Sequence, residues 1–150
     1  AILNIARLAP SAVNRQPWRL LVTQSAQSME KLKECTPYTF DAPMAIAVCA
    51  VPEEAWVRPF DQDNSALVDA AILGTHIMLA AHNLGLGCTW VGFFNVDVFR
   101  KLFNVPASVI PVAIFPIGHP APDAKPSGMH ARRKALAEIF VSEQFGTDCA

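Results

Sequence analysis

The residues of this chain best suited to chemistry are binding groups. Pro10-Ser11-Ala12-Val13-Asn14-Arg15-Gln16-Pro17 sets a hydroxyl at Ser11 and a carboxamide at Asn14 on a backbone restrained by prolines at both ends. Such groups can meet the carbonyls, amides and hydroxyls of a polar ring system, and Arg15 can add an anion contact. The same residues would also serve simply to stop a helix and satisfy a turn, and both readings stand here. A second stretch, Gly85-Leu86-Gly87-Cys88-Thr89-Trp90-Val91-Gly92-Phe93-Phe94-Asn95, combines close backbone approach with bulky apolar side chains. Backbone near Val91 and Gly92 could bond a flat heterocycle while an apolar neighbour covers one face. Equally, the glycines are turns and Trp90 and Phe93 are core. A third stretch, Arg132-Arg133-Lys134, can hold one phosphate, because arginine matches phosphate geometry. It also reads as a solvated charge run, although Arg133 at the positive end of a predicted helix favours an anion there.

Other chemistries find no support. There is no GxSxG, and no pair of acids marks glycoside hydrolysis. GxGxxG and GxxxxGK[ST] are both absent. His76 and His82 do not make an HxxxH pair, and His119 and His130 fall in loops without a ligand pattern. Local hydrogen bonding or interface packing suits the two helical histidines better than a metal. Binding groups without an evident acid, base or nucleophile are what a cofactor-driven enzyme shows, since the cofactor performs the difficult step.

The elements that must position these groups follow from the pattern. A first helix runs from the start of the chain and stops near Ala9, because Pro10 restricts its predecessor. Trp18–Thr23 reads as a strand, and Ser25 caps a helix through Cys35 with Gln27 or Glu30 near its start. The apolar run Met44–Val51 suits a central strand covered on both faces. From Pro52 to Asn64 a loop or flap carries Trp56 and Phe60, as lid residues or as pins to the body. The longest helix begins at Asn64 or Ser65 and ends at Asn83 or Leu84, apolar on nearly every face. Cys88–Val91 reads as a strand, Val96–Phe103 as a helix capped by Asn95 or Asp97, and Val112–Ile117 as a strand with Pro116 demoting its end. Gly118–Gly128 is a surface excursion, and a final helix spans about Arg133 to Val141. Strands among helices, not in simple βαβ repetition, give one α/β or α+β layer structure.

Composition sets the frame. With 150 residues, 52% hydrophobic and 17% charged, the chain is too apolar for disorder and fits a single domain over 1–150. Its excess of apolar residues suits either short loops or surface covered by a partner subunit or planar ligand. A net charge of -1 offers nothing to attract nucleic acid or an anionic membrane. The run from Ala66 to Leu86 is apolar, but Asp69 makes a membrane helix costly. Cys35, Cys49, Cys88 and Cys149 form no CxxC, which suits a reduced, cytoplasmic setting. Cys149, at the chain end, is expected to be exposed.

Ala9-Pro10-Ser11-Ala12-Val13-Asn14-Arg15-Gln16-Pro17-Trp18 closely follows an APSxxNxQPW pattern, and here the chain resembles the FMN-dependent nitroreductase family. Three further stretches agree in order: the apolar helix with Asp69 leading into Gly85-Leu86-Gly87, then Trp90-Val91-Gly92-Phe93, and Val112 through Gly118 before the terminal basic segment. The resemblance implies an α+β, three-layer nitroreductase-like fold with a central mixed sheet flanked by helices. It also implies a homodimer with two FMN sites at the subunit interface. By position, Pro10, Ser11 and Asn14 would contact FMN from one subunit, and Val91 and Gly92 would approach the ring in the other. Arg133 matches a phosphate-binding arginine, with Arg132 and Lys134 as helpers. Departures are Ala131, where a lysine is common, and Val91, where some relatives carry an acid. The family's arginine- and serine-containing opening segment is expected ahead of residue 1.

The implied activity is ping-pong electron transfer from NADH or NADPH to small electron-poor acceptors such as nitroaromatics or quinones. Alternatives on the same scaffold are a specialised flavin dehydrogenase, dehalogenase or flavin-fragmenting enzyme, or a flavin-binding or structural dimer without catalysis.

Overall fold

The computed structural model describes residues 1–145 and divides into two compact units, Ala1–Pro120 and Ala121–Ala150, each considered on its own. The first unit holds a four-stranded sheet in the order β1-β2-β4-β3, with β1 Trp18–Thr23, β2 Met44–Ala50, β3 Gly87–Cys88 and β4 Ile110–Gly118. Four helices pack on it: α1 Ile2–Ala6, α2 Ala26–Cys35, α3 Ala66–Asn83 and α4 Val96–Phe103. The architecture is α+β in three layers.

Strand β2 shows why. It is buried from Ala45 to Ala50, and its two sets of alternating side chains enter different cores. Ile46, Val48 and Ala50 join Leu73 and Ile77 of α3 and Ala6 of α1 on one face. Ala45, Ala47 and Cys49 join Leu32 of α2 and Phe99 of α4 on the other. A continuous apolar run is what such double coverage requires.

Among the described residues every strand pairing is antiparallel, which corrects the mixed sheet that the resemblance implied. The helices account for this. β2 begins beside the end of β1, with Ala45 opposite Thr23, so the excursion through α2 returns the chain to the same end of the sheet. By contrast α3, about 27 Å long at 1.5 Å per residue, carries the chain back along the sheet. Strand β3 therefore points the same way as β2, and β4 lies between them, antiparallel to both.

Some element boundaries also move. Helix α1 ends at Ala6 rather than near Ala9, leaving Arg7 and Leu8 in a turn. Helix α2 keeps its expected cap at Ser25 and its end at Cys35, and the reciprocal partner of Ser25 in a capping box is Ser28. Strand β3 is only Gly87–Cys88, and Val91 returns to the sheet as a single bridge to Ile114. Pro116 explains the gap without ending β4. Ile114 bonds Val91 through both its N–H and its C=O. Two residues along, position 116 faces the same side, and its proline has no N–H to continue the ladder. Asn95 caps α4 by accepting from the Val98 amide, as its sequence position predicts.

In the second unit the final helix, α5, is the single turn Leu136–Ile139 rather than Arg133–Val141. The expectation for Cys149 falls outside the described residues.

Candidate functional site

The Pro10–Pro17 segment is a tightly wound elbow. Ser11 is extended, with φ −141° and ψ 158°, and Val13, Asn14 and Gln16 then take positive φ values of 43°, 58° and 52°. None of these residues is glycine, and a β-branched valine at positive φ is a true outlier. Each such residue costs on the order of 1–3 kcal/mol, and strain of this kind gathers at functional sites. Local bonds shape the turn. Ser11 Oγ accepts from the Gln16 amide at 2.9 Å, and Gln16 Nε2 donates to Asn14 Oδ1 at 3.2 Å. Thus the turn-forming reading of Ser11 and Asn14 is correct as far as it goes. It still leaves the Ser11 O–H and the Asn14 carboxamide N–H groups, which bond nothing among the described residues. The elbow ends in the buried Pro17, whose carbonyl accepts from the Val51 amide at 2.8 Å.

One residue that chemistry alone did not pick out lies directly beneath the elbow. Asp69, on the first turn of α3, is 2% exposed. Its Oδ1 accepts from the Ala12 amide at 3.0 Å and its Oδ2 from Ser65 Oγ at 2.8 Å. The available signal was an acid within an apolar helix, since a buried carboxylate needs partners.

The second sequence feature resolves into unequal parts. Val91 is buried, and its N–H and C=O both bond Ile114, at 2.9 and 3.0 Å. It therefore has no backbone donor to offer and serves to pin the segment to β4. Gly92 is exposed, and its N–H makes no hydrogen bond among the described residues. A methyl group built on Gly92 would meet only Trp90 Nε1, at 3.9 Å. Nothing in this chain requires a glycine there, so the space above it is open to something else. Trp90 sets its ring edge-on to the buried Phe115, with centroids 5.0 Å apart, yet stays 37% exposed. Phe93 faces outward, packing edge-on to Tyr38 at 5.7 Å, and the buried Thr36 hydroxyl donates to its carbonyl at 2.7 Å.

In the second unit Arg132 and Arg133 are exposed, and Arg133 Nη1 donates to the Arg132 carbonyl at 2.7 Å. Because α5 starts only at Leu136, Arg133 does not stand on its first turn. Glu138 occupies that turn and accepts from the Ala135 amide at 3.0 Å. The conflict between Arg133 and a helix dipole therefore disappears, and with it that argument for an anion.

The remaining candidates have structural partners. His76 Nδ1 lies 3.0 Å from the Ile72 carbonyl. Among the described residues no group of three or more His, Cys, Asp or Glu side chains could hold a metal. Burial pushes the Cys49 and Cys88 thiols up to about 11, and burial, then Glu34, raises that of Cys35. All three are weak nucleophiles at neutral pH. In the Pro52–Asn64 excursion the Trp56 carbonyl accepts from the Ser65 amide, which ties the loop to the start of α3. Phe60 stands 96% exposed on a turn braced by Arg58 and Asp61.

The fold and the elbow together define an α+β protein of a recognisable kind. The model of the nitroreductase family matches residues 1–36 and 34–119, and the chain belongs to that family. A relative from Methanothermobacter thermautotrophicus, provisionally named an NADH dehydrogenase/NAD(P)H nitroreductase, is 38% identical over 127 residues. The match covers 80% of this chain and 64% of that protein's length. The crystal structure of a nitroreductase family protein from Clostridium difficile 630 superposes with a TM-score of 0.87 at 36% identity, covering 96% of this chain and 84% of the other. An FMN-dependent nitroreductase from Clostridium difficile R20291 gives 0.70 at 26% identity, over 83% and 75% of the two chains.

No helix is long and apolar enough to cross a membrane among the described residues.

Proposed function

We propose that this chain is a subunit of an FMN-dependent oxidoreductase that passes electrons from NADH or NADPH to small electron-poor acceptors such as nitroaromatics or quinones. The observation that carries this reading is Gly92, whose N–H is unused and whose Cα lies open where a side chain would meet almost nothing. A flat ring can approach such a backbone closely. The elbow fits the same group. Ser11 O–H and the Asn14 N–H groups are donors, matched to the carbonyl oxygens and hydroxyl chain of a flavin. Family membership, and the name of the FMN-dependent relative, supply the rest.

Bound FMN would supply the electron chemistry, taking reducing equivalents from the nicotinamide and passing them on after that product leaves. The residues hold and orient. Pro10 and Pro17 restrain the elbow so that Ser11 and Asn14 meet the ring already ordered. The Val91 bridge to Ile114 fixes the strand exit, and Gly92 presents a donor to the electron-rich edge. Arg133, helped by Arg132, takes the phosphate, as arginine's planar fork is suited to do.

The functional unit is a homodimer with its sites between two copies. Support comes from α3, whose face away from the sheet leaves Val68, Thr75 and Leu79 exposed at helical spacing, with Leu67 beside them. A sedimentation mass of one subunit at micromolar concentration would remove this element.

The deciding experiment is a flavin absorbance spectrum of the purified protein followed by anaerobic titration with NADH and NADPH. Stoichiometric FMN that bleaches on addition is expected. FMN that neither nicotinamide bleaches would end the proposed activity. Arg133→Ala should weaken FMN more than riboflavin, which lacks the phosphate; equal losses would take Arg133 out of the site.

A further inference from the structure

We infer that Asp69 is the positioning residue of the flavin site, holding the Pro10–Pro17 elbow in the strained form that aims Ser11 and Asn14. This rests on the FMN reading above. The elbow's own bonds, from Gln16 to Ser11 and to Asn14, move with it and cannot anchor it. Among the described residues, two hydrogen bonds tie it to distant parts of the fold. One is at its end, from the Val51 amide to the Pro17 carbonyl. The other is in its middle, from the Ala12 amide to Asp69 Oδ1, and crosses 57 positions of sequence. Ala12 immediately precedes the left-handed pair Val13 and Asn14. Releasing it frees the backbone where relaxation gains most.

Asp69 suits this task better than a neutral residue. Its carboxylate is buried, and its second oxygen is held by the Ser65 hydroxyl at the N-cap of α3. The carboxylate therefore has one orientation, and its charge sits in the first turn of α3, near the positive end of the helix dipole. A charged acceptor makes the stronger bond to the Ala12 N–H. Ser65 in turn is held by the Trp56 carbonyl through its own amide. The anchor is thus built on a braced helix start rather than on another loop.

The energetic consequence is a population effect. If only a fraction of molecules hold the elbow correctly, the apparent dissociation constant for FMN rises by the inverse of that fraction. Losing a hydrogen bond to a charged group should cost about tenfold or more in Asp69→Ala. Asp69→Asn keeps an acceptor for Ala12 and can donate to Ser65, so only about a threefold loss is expected. FMN and riboflavin should weaken together, because the elbow does not bind the phosphate.

The test measures FMN and riboflavin dissociation constants by flavin fluorescence, together with thermal midpoint and amide exchange at Ala12 in the flavin-free protein. A graded loss, with the FMN to riboflavin ratio unchanged and Ala12 protection lost in Asp69→Ala, is the expected result. A lowered midpoint with unchanged dissociation constants would make Asp69 merely structural and overturn the inference. Should Asp69→Ala fail to fold, Asp69→Asn decides by the same comparison. If the unaltered protein bound no flavin, the cofactor assignment would fall. Exchange at Ala12 would then still decide the lock, with retained protection in Asp69→Ala defeating it.

Discussion

Gly92 and Val91 are neighbours with opposite duties. Val91 commits both backbone groups to Ile114, whereas Gly92 commits none among the described residues, so one holds position and the other can meet a ligand. This separates binding from stability in an experiment. Gly92 does not sit at positive φ, and a methyl there would touch only Trp90 Nε1 at 3.9 Å. Gly92→Ala should therefore leave the folding midpoint unchanged, or raise stability by about 0.4–1 kcal/mol through the unfolded chain. FMN affinity should drop by about tenfold or more, as the methyl occupies the ring's approach. Unchanged flavin affinity in a normally folded Gly92→Ala protein would remove Gly92 from the contact surface. At this scale the sequence could name Ser11, Asn14, Val91 and Gly92 as candidates. It could not tell which of their donors were already spent, because each partner is set by the fold.

At the scale of the element, α3 illustrates how one helix carries two tasks. Leu73 and Ile77 fill the core against the sheet, and Asp69 at its start reaches the elbow. The close approach to β4 depends on Gly74. A Cβ there would lie 2.7 Å from both Phe115 Cζ and Trp90 Cζ3, inside two packed rings. Two effects compete in Gly74→Ala. Helix propensity favours alanine by about 1 kcal/mol, while forcing a methyl into a filled core costs about 1–3 kcal/mol. The fixed backbone of α3 and the fully buried Phe115 ring leave little room to relax on that side, so the clash should win. Urea unfolding should show a net loss of about 1–2 kcal/mol; a gain in stability would mean the rings move aside freely. Read as sequence, Gly74 is merely a poor helix former in an apolar run. The helices and strands themselves were largely legible, because caps such as Ser25 and Asn95 and the apolar run of β2 are local signals. The effect of Pro116 is not local, because it depends on which neighbour its missing N–H faces.

For the whole molecule, the layer of α2 and α4 buries Cys49 against one face of the sheet, leaving it 3% exposed, and its thiol is pushed up to about 11. Stability should therefore depend on alkaline pH. In the unfolded chain the thiol ionises near 9.0, and in the fold near 11, so the contribution is complete below the lower value. It declines above pH 9 and is lost as pH passes 11, about 2–3 kcal/mol in all for this group. Denaturation midpoints measured from pH 8 to 11 should fall more steeply in the parent protein than in Cys49→Ala, which has no thiol there. Parallel curves would place ionisable stress elsewhere. What the amino-acid order determined alone was most of the elements, the α+β class and the family, since hydrophobic period, capping and the Ala9–Trp18 motif are written in neighbouring residues. Tertiary structure decided the antiparallel pairing, the unequal roles of Val91 and Gly92, and the grip of Asp69 on Ala12 across 57 positions. Those outcomes depend on which groups meet after the chain has folded back on itself, and no local pattern encodes the partner.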